Sequence, residues 1–183
     1  MRIYLVRHPR PAVADGVCYG STDVDLAEDA SLVAQRLRPH LPANAPVFSS
    51  PLRRCRQLAE RLSPTHRVDS RLVEIDFGAW EMQRWDDIGP AALDGWSTNP
   101  LHHVPPGGES PAQLLERVGE FHAVLQEQEL TEVVLVAHAG VMKALCGLLE
   151  DLPAEEWIRL SFDFGSVTLI ERGRRVWHNA GHG

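Results

Sequence analysis

Two long apolar runs along the chain end at charged or polar residues and predict strands of a buried sheet. The run from Ile3 to Val6 is followed directly by Arg7 and His8. The run from Val133 to Ala137 is unbroken, rich in β-branched residues and followed by His138. Uninterrupted apolar runs of this length are typical of parallel strands that are covered on both faces. Both runs are therefore predicted to be buried strands of an α/β sheet, and the run from Val133 to Ala137 is predicted to be a central parallel strand.

Shorter apolar segments predict the remaining strands. The segment from Pro46 to Ser50 is too short for a helix and is bounded by prolines, which favours a strand. The residues His66 to Val68 are predicted to form a short edge strand. Near the end of the chain, Val167 to Ile170 and Arg175 to Trp177 flank a turn at Gly173 and predict a hairpin.

Apolar residues at a spacing of three or four predict the helices between these strands. One helix is expected to open with Ser110 as its cap, because Ser-Pro-Ala-Gln has the form of a capping box with proline at the first helical position. The predicted helices cover Leu26 to Leu37, Pro51 to Leu62, Pro111 to Leu125, Val141 to Leu149 and Pro153 to Leu160.

Alternation of strands and helices predicts an α/β fold, a three-layer α/β/α sandwich with a mostly parallel central sheet. Residues 1–183 are expected to form one domain, since a chain of 183 residues buries about 70% of the surface that its unfolded form exposes. The segment of about residues 75–109 contains Trp80, Trp85 and Trp96 among many turn residues. We interpret it as an insertion that covers or walls a site.

Composition narrows the classes of partner. A hydrophobic content of 44% with 23% charged residues is typical of a globular domain, and the net charge of −7 argues against a nucleic-acid-binding surface. The N-terminus lacks the features of a signal peptide, so we expect a cytoplasmic protein without a membrane partner. Three widely spaced cysteines, Cys18, Cys55 and Cys146, are expected to be reduced. The sequence carries no signal for a particular oligomeric state.

The helix that begins near Pro51 carries three arginines close to its start. At about 100° per residue, Arg53 points away from the apolar face of this helix, whereas Arg54 and Arg56 flank that face on either side. Arg53 is therefore expected in solvent. Helical geometry alone leaves both Arg54 and Arg56 open as groups that could reach the end of the neighbouring strand.

Charged and imidazole groups follow three predicted parallel strands, whose carboxyl ends meet at one edge of the sheet. Arg7, His8, His138 and one arginine after the second strand can therefore converge. Guanidinium groups bind phosphate oxygens in a forked geometry, and a neutral imidazole can act as a nucleophile toward phosphorus. This combination predicts a site for a phosphoryl group.

Several strings in the chain resemble the histidine phosphatase superfamily, which includes metal-independent phosphatases and phosphoglycerate mutases. The matching strings are 5–8 (Leu-Val-Arg-His), 50–54 (Ser-Pro-Leu-Arg-Arg), 136–140 (Val-Ala-His-Ala-Gly), 20–23, 74–81 and 108–110. The resemblance covers nearly the whole chain and implies a phosphoglycerate mutase-like fold.

This resemblance implies a role for each residue of the predicted site. His8 would be the nucleophile that becomes phosphorylated, and Arg7 and Arg54 would bind the phosphoryl oxygens, which favours Arg54 over Arg56. His138 would donate a hydrogen bond to those oxygens in the transition state. Glu74 would be the proton donor, with Glu81 in reserve. The resemblance implies no cofactor and no metal.

Three positions depart from the family pattern: Pro9, Met82 and Ala139 stand where glycine is usual. Pro9 has no backbone N–H, so any phosphate contact by that amide is lost. Within the family, the segments 18–23 and 76–81 look most like the α-ribazole phosphatase subfamily. This likeness implies a small phosphorylated metabolite as partner, α-ribazole 5′-phosphate of cobalamin biosynthesis. A broad-specificity phosphatase and a phosphoglycerate mutase-like enzyme remain alternatives.

Two hypotheses from other classes compete with this interpretation. One is a metal hydrolase that uses His102, His103, His178 or His182, although adjacent histidines and a chain end are poorly preorganised ligands. The other is a phosphate-ester-binding module without catalysis, in which changes such as Pro9 have removed activity.

Overall fold

A computed structural model describes residues 1–181 and contains one mixed sheet of six strands in the order β3-β2-β4-β1-β5-β6. The strands are β1 (Arg2–Arg7), β2 (Val47–Ser49), β3 (Arg67–Val68), β4 (Glu132–Ala137), β5 (Val167–Glu171) and β6 (Arg174–Ala180). Strand β4 lies in the middle of the sheet, as predicted, and β1 lies beside it.

Strand direction divides the sheet into a parallel part and an antiparallel hairpin. The pairs β1 with β4, β4 with β2, and β2 with β3 are parallel, whereas β5 is antiparallel to both β1 and β6. Gly173 turns the chain between β5 and β6 with a φ of 73°, a conformation that glycine adopts without strain. The mostly parallel sheet and the terminal hairpin are therefore confirmed.

Seven α-helices complete the described fold. They are α1 (Ala30–Leu37), α2 (Arg53–Leu62), α3 (Trp85–Ile88), α4 (Pro90–Thr98), α5 (Pro111–Gln126), α6 (Ala139–Glu150) and α7 (Ala154–Trp157). Short 3-10 helices lie at Arg38–His40, Ser70–Leu72 and Gly78–Trp80. The predicted capping box of α5 is present, since the Ser110 side chain accepts from the Gln113 N–H and the Gln113 side chain accepts from the Ser110 N–H.

Two hydrophobic cores cover opposite faces of the sheet. Successive side chains of a strand point to opposite faces, and accordingly Ile3 and Leu5 pack with α5 and α6 on one side. Tyr4 and Val6 pack with α1 and α2 on the other side. These two cores confirm the three-layer α/β/α sandwich.

Three predicted helix starts differ from the structure by two or more residues. Helix α6 begins at Ala139, two residues before the predicted Val141, and two other helices begin later than predicted. The first helix begins at Ala30 rather than at Leu26, because the Asp29 side chain accepts a hydrogen bond from the Ser31 N–H and caps the helix there. Leu26 instead forms an isolated β-bridge with Pro11. The second helix begins at Arg53 rather than at Pro51, because the backbone at Leu52 is extended. An amphipathic spacing does not by itself define the capping residue.

The described residues include three buried, unpaired cysteines and no helix that is long and apolar enough to cross a membrane. Cys55 and Cys146 belong to the two hydrophobic cores. Burial raises the pKa of Cys18 and of Cys146 to about 12. These thiols are therefore protonated at neutral pH, as expected of small core residues.

Candidate active site

The carboxyl ends of β1, β2 and β4 meet at one edge of the sheet and carry the predicted residues. The His8 N–H donates to the Ala137 carbonyl at 3.1 Å, and the Ser50 N–H donates to the Val136 carbonyl at 3.0 Å. These backbone bonds anchor the chain just beyond each strand. The rings of His8 and His138 are brought to 5.1 Å between centroids. We call Arg7, His8, Arg54 and His138 the strand-end cluster.

The environment of His8 selects one neutral tautomer. Its Nδ1 lies 2.7 Å from the Pro9 carbonyl oxygen, which can only accept, so Nδ1 carries the proton and Nε2 keeps its lone pair. Burial lowers the pKa of His8 well below its usual value, and the charges of Arg54 and Arg7 lower it further. His8 is therefore neutral at pH 7, as a nitrogen nucleophile must be.

His138 is held in the complementary tautomer. The Arg54 Nε–H donates to His138 Nδ1 at 3.2 Å, so the proton of a neutral ring lies on Nε2, which is 2.8 Å from Ser50 Oγ. Burial, followed by the charge of Arg54, lowers the pKa of His138 well below its usual value. A phosphoryl oxygen that accepts a hydrogen bond from Nε2 must therefore share this N–H with the Ser50 hydroxyl or displace that hydroxyl. The hydroxyl of Ser50 was not predicted as a site group.

The structure distinguishes the arginines of α2. Arg54 is fully buried and donates to the backbone carbonyls of Gly20 and Thr22, whereas Arg53 and Arg56 are exposed. Its Cζ also lies 5.6 Å from the ring centroid of Tyr19, a residue that sequence reasoning did not single out. Arg54 is thus the arginine of this helix that reaches the strand ends.

Arg7 is packed against an aromatic ring at the edge of the cluster. Its Cζ lies 3.6 Å from the ring centroid of Phe164, and Nη1 donates to the Phe162 carbonyl. The Arg7 Nε is buried and has no hydrogen-bond acceptor within residues 1–181. A buried donor of this kind is costly unless another group satisfies it, and an anion oxygen at the strand ends could do so.

Glu74 lies on a separate, irregular segment that contacts the start of α6. Its Oε2 accepts from the Gly140 N–H at 3.0 Å, and its Oε1 accepts from the Ile75 N–H at 3.0 Å. A Cβ atom at position 140 would overlap the Glu74 carboxylate, so any larger residue there would displace this side chain. We call residues 74–81 the acid loop.

An ion pair fixes the backbone of the acid loop. Arg117 and Glu109 form two bonds, Nε to Oε1 at 2.6 Å and Nη2 to Oε2 at 2.8 Å. Arg117 also donates to the carbonyls of Arg71 and Glu74, and the Asp76 N–H donates to Glu109 Oε2. The pair thus bridges α5 to both sides of Glu74. The string around Glu109 belonged to the family resemblance, but its contact with the loop was not predicted.

The carboxylate of Glu81 is engaged in hydrogen bonds that hold the backbone of two loops together. Its carboxylate accepts from the backbone N–H groups of Gly20, Ser21, Thr22 and Phe77 and from the Thr22 hydroxyl. Burial alone would raise the pKa of Glu81, but these hydrogen bonds outweigh it and lower the pKa. A group that remains ionised is poorly suited to donate a proton, so the geometry favours Glu74 over Glu81.

The described histidines of the metal hypothesis have separate environments, although His102 and His103 are neighbours in sequence. His102 is exposed, His103 stacks on Trp80, and His178 lies beside Thr168 and Phe162. His182 lies outside the described residues. Over residues 1–181, no group of three or more His, Cys, Asp or Glu side chains is arranged to hold a metal ion.

The chemical capacity of the site follows from these groups. A neutral imidazole with a free lone pair stands beside two guanidinium groups, and a carboxyl group is held by the helix that follows His138. Such a set can bind an anionic centre, attack it and exchange a proton with a departing oxygen.

Comparisons with known proteins identify the family and the fold of this chain. A family model described as the histidine phosphatase superfamily (branch 1) matches residues 3–182. The crystal structure of an alpha-ribazole phosphatase from Shigella flexneri superimposes with a TM-score of 0.85 at 27% identity, covering 99% of this chain and 97% of that one.

Two curated relatives match over most of their length. The adenosylcobalamin/alpha-ribazole phosphatase of Escherichia coli is 28% identical over 182 residues, which cover 93% of this chain and 90% of that protein. A candidate phosphoserine phosphatase of Hydrogenobacter thermophilus is 30% identical over 179 residues, which cover 92% of this chain and 88% of that protein.

Proposed function

The chain belongs to the histidine phosphatase superfamily and is a phosphatase, and from this premise we propose that it hydrolyses a small phosphate monoester through a phosphohistidine formed on His8. The observation that carries the proposal is the neutral His8 ring, whose Nδ1 proton is bound by the Pro9 carbonyl and whose Nε2 lone pair is free for attack. Burial lowers the pKa of this ring, and the charges of Arg54 and Arg7 lower it further, so the ring stays neutral.

The first half of the reaction transfers the phosphoryl group to the protein. His8 Nε2 attacks phosphorus, the bond from phosphorus to the ester oxygen breaks, and Glu74 gives its proton to the departing alcohol. Arg7, Arg54 and His138 bind the phosphoryl oxygens, where negative charge accumulates. The unsatisfied Nε of Arg7 supports its part in this role.

The second half releases phosphate. Glu74, now a carboxylate, accepts a proton from water as the water oxygen attacks phosphorus, and the bond from His8 Nε2 to phosphorus breaks. The site returns to its starting state with Glu74 protonated and His8 neutral. No step in this sequence draws on a cofactor.

The mechanism is tested with His8→Ala and with a chelator. We expect His8→Ala to lose at least about 10⁴-fold in kcat on p-nitrophenyl phosphate, because the nucleophile is removed, while a chelator leaves the wild-type rate unchanged. Rapid base quenching with labelled substrate should trap a labelled protein that releases phosphate in acid. Full activity of His8→Ala, or loss of activity on chelation, would contradict the proposal. Phosphate binding without turnover would favour the non-catalytic binding module.

For the substrate, we propose α-ribazole 5′-phosphate. Two relatives that match nearly the whole chain carry that activity in their names, and the segments 18–23 and 76–81 resemble the same subfamily. The test is a panel of α-ribazole 5′-phosphate, phosphoserine, 3-phosphoglycerate and nucleoside monophosphates. We expect kcat/KM to be at least about tenfold higher for α-ribazole 5′-phosphate. Similar values across the panel would indicate a broad-specificity phosphatase, and the highest value for phosphoserine would favour the other relative's substrate.

A further inference from the structure

An apolar cavity of about 210 Å³ lies beside Glu74. Three aromatic side chains, Phe77, Trp96 and Trp157, form part of its wall, together with aliphatic residues. We call this space the Trp96 cavity. It is smaller than the roughly 300–1,000 Å³ of a site for a drug-sized ligand, so it suits a single ring system.

The cavity lies on the side of the reaction from which the alcohol departs. In a phosphoryl transfer the attacking and leaving atoms are roughly in line on opposite sides of phosphorus. The group that protonates the leaving oxygen therefore marks the leaving-group side. Glu74 lines the Trp96 cavity, as does Gly140, whose N–H binds the Glu74 carboxylate. The organic part of the ester would thus extend into the cavity.

Lys143 supplies a charged donor at the apolar wall. It lies three residues after Gly140 on α6, which brings both residues to the same face of the helix. Its Nζ donates to the Ile158 carbonyl at 2.8 Å, and an ammonium carries three N–H donors. Burial lowers the pKa of Lys143, while the charge of Glu74 raises it. A ligand atom that accepts a hydrogen bond would satisfy this half-buried group.

The residues of the cavity wall differ from those of the core because they remain partly exposed to solvent. Phe77, Trp96 and Ile158 pack against the core without being fully buried. The rings of Phe77 and Trp96 lie 5.9 Å apart at an angle of 51°. Apolar surface that stays open to solvent beside reacting groups is available to a substrate.

We propose that the Trp96 cavity binds the leaving group and selects phosphate monoesters whose alcohol carries a planar apolar ring with a hydrogen-bond acceptor, which Lys143 recognises. This inference rests on the proposed role of Glu74 as the proton donor. Phe77 and Trp96 would contact the ring, and Lys143 would determine which rings are preferred.

The ring preference is tested with 2-phenylethyl phosphate and propyl phosphate, whose leaving alcohols have similar acidity. We expect kcat/KM to be about 10- to 100-fold higher for the phenylethyl ester, because the ring is buried. Trp96→Leu should reduce this ratio several-fold. Trp85→Leu is the matched control, because the Trp85 ring also packs against Phe77, at 5.5 Å between centroids, but does not line the cavity. Its ratio should equal that of the wild type.

The role of Lys143 is tested with the three pyridylethyl phosphates, which differ only in the position of the ring nitrogen. We expect the wild type to hydrolyse at least one isomer about 5- to 20-fold faster, in kcat/KM, than the phenylethyl ester. Lys143→Met keeps most of the unbranched apolar side chain but removes its donors, so this difference should disappear. An unchanged difference in Lys143→Met would overturn the assignment of Lys143.

Failure of the inference is distinguishable from failure of the proposed function. If the phenylethyl and propyl esters react equally, or if Trp96→Leu lowers both by the same factor, the cavity does not bind the leaving group. Dependence of both rates on His8 would then still support the phosphohistidine mechanism. If His8→Ala retains activity, the proposed function itself is wrong.

Discussion

The strand-end cluster and the acid loop are held in place by different interactions. The cluster follows strands whose residues, such as Leu5 and Leu135, are completely buried between the two cores. The acid loop has little regular structure, and its backbone is held by hydrogen bonds to Glu81, Glu109 and Arg117. Hydrophobic burial therefore positions the nucleophile candidate, whereas charge-assisted hydrogen bonds position the acid candidate. The two regions should respond differently to substitution.

Glu74→Gln is expected to give the largest difference between the loss of activity on alkyl phosphates and the loss on p-nitrophenyl phosphate. This variant removes the proton donor but keeps its shape, so kcat on alkyl phosphates should fall about 10²- to 10⁴-fold. The fall on p-nitrophenyl phosphate should be much smaller, because nitrophenolate leaves without a proton. Steady-state rates on esters of graded alcohol acidity measure this effect. Asp76→Asn is the control in the same loop, and an equal loss of activity on all esters in Glu74→Gln would count against the acid role.

Arg54→Met tests the strand-end cluster, and its effect should not depend on the leaving group. A bound guanidinium stabilises charge on the phosphoryl oxygens whatever the leaving group, so kcat/KM should fall about 10²- to 10³-fold on alkyl and aryl esters alike. The control is Arg53→Met, because Arg53 is exposed and pairs with Asp23 and Asp25 at the surface. Circular dichroism should verify folding, since Arg54 is fully buried. A loss confined to alkyl esters would contradict the separation of the two regions.

Disruption of the ion pair between Arg117 and Glu109 should lower activity less than Glu74→Gln does. The loss should again be larger on alkyl phosphates than on p-nitrophenyl phosphate. Arg117→Lys keeps the charge but loses the fork that binds Glu109 and the carbonyls of Arg71 and Glu74. We expect about a tenfold fall in kcat on alkyl phosphates and little change on p-nitrophenyl phosphate. Arg175→Lys is a matched control, because the pair Arg175 to Glu150 is also 2.6 Å long and similarly buried. A fall of the same size in that control would show a general loss of stability.

The same contrast explains which features the sequence could predict. Strand ends follow from unbroken apolar runs, so Arg7, His8 and His138 were predicted together from the pattern and from the rule for parallel sheets. Helical spacing did not distinguish Arg54 from Arg56, because the choice depends on carbonyls more than 30 residues earlier in the chain. Only the family resemblance favoured Arg54.

Contacts between distant polar groups carry no periodic signal. The bond between Ser50 and His138 spans 88 positions, and the bond from Arg117 to the Glu74 carbonyl of the acid loop spans 43. The start of α1 was misjudged for a related reason, since the cap at Asp29 is a local hydrogen bond that overrides the apolar spacing. Sequence patterns report burial well, and they report hydrogen bonding only where a short motif contains it.

Stability should depend on pH through the strand-end cluster. The pKa values of His8 and His138 are lowered well below 6.5 in the fold, mainly by burial, whereas both rings titrate near 6.5 in the unfolded chain. Below that pH the unfolded state binds more protons than the folded state. As the pH falls, the free energy of unfolding should therefore decrease by up to about 1.4 kcal/mol per pH unit for each ring. Urea denaturation between pH 7 and 5 measures the slope.

Single variants assign this slope to its source. His138→Gln should reduce the pH dependence by up to about 1.4 kcal/mol per pH unit, whatever its effect on stability at pH 7. His122→Gln is the comparison outside the cluster, and its effect should be smaller, because His122 is only half-buried although burial lowers its pKa too. A slope that is unchanged in His138→Gln would mean that this ring does not stay neutral in the fold.

The smallest effect is expected from Pro9→Gly, at the position where the cluster departs from the family pattern. The carbonyl of residue 9, which binds the Nδ1 proton of His8, is kept in this variant. Activity should therefore change by less than about tenfold, while the greater freedom of the unfolded chain should lower the free energy of unfolding by about 0.4–1 kcal/mol. Pro11→Gly in the same loop controls for general loosening. A much larger loss of kcat in Pro9→Gly alone would mean that the fixed φ of proline, and not only the carbonyl, orients His8. In that case the strand-end cluster would depend on a local backbone constraint as well as on the buried strands.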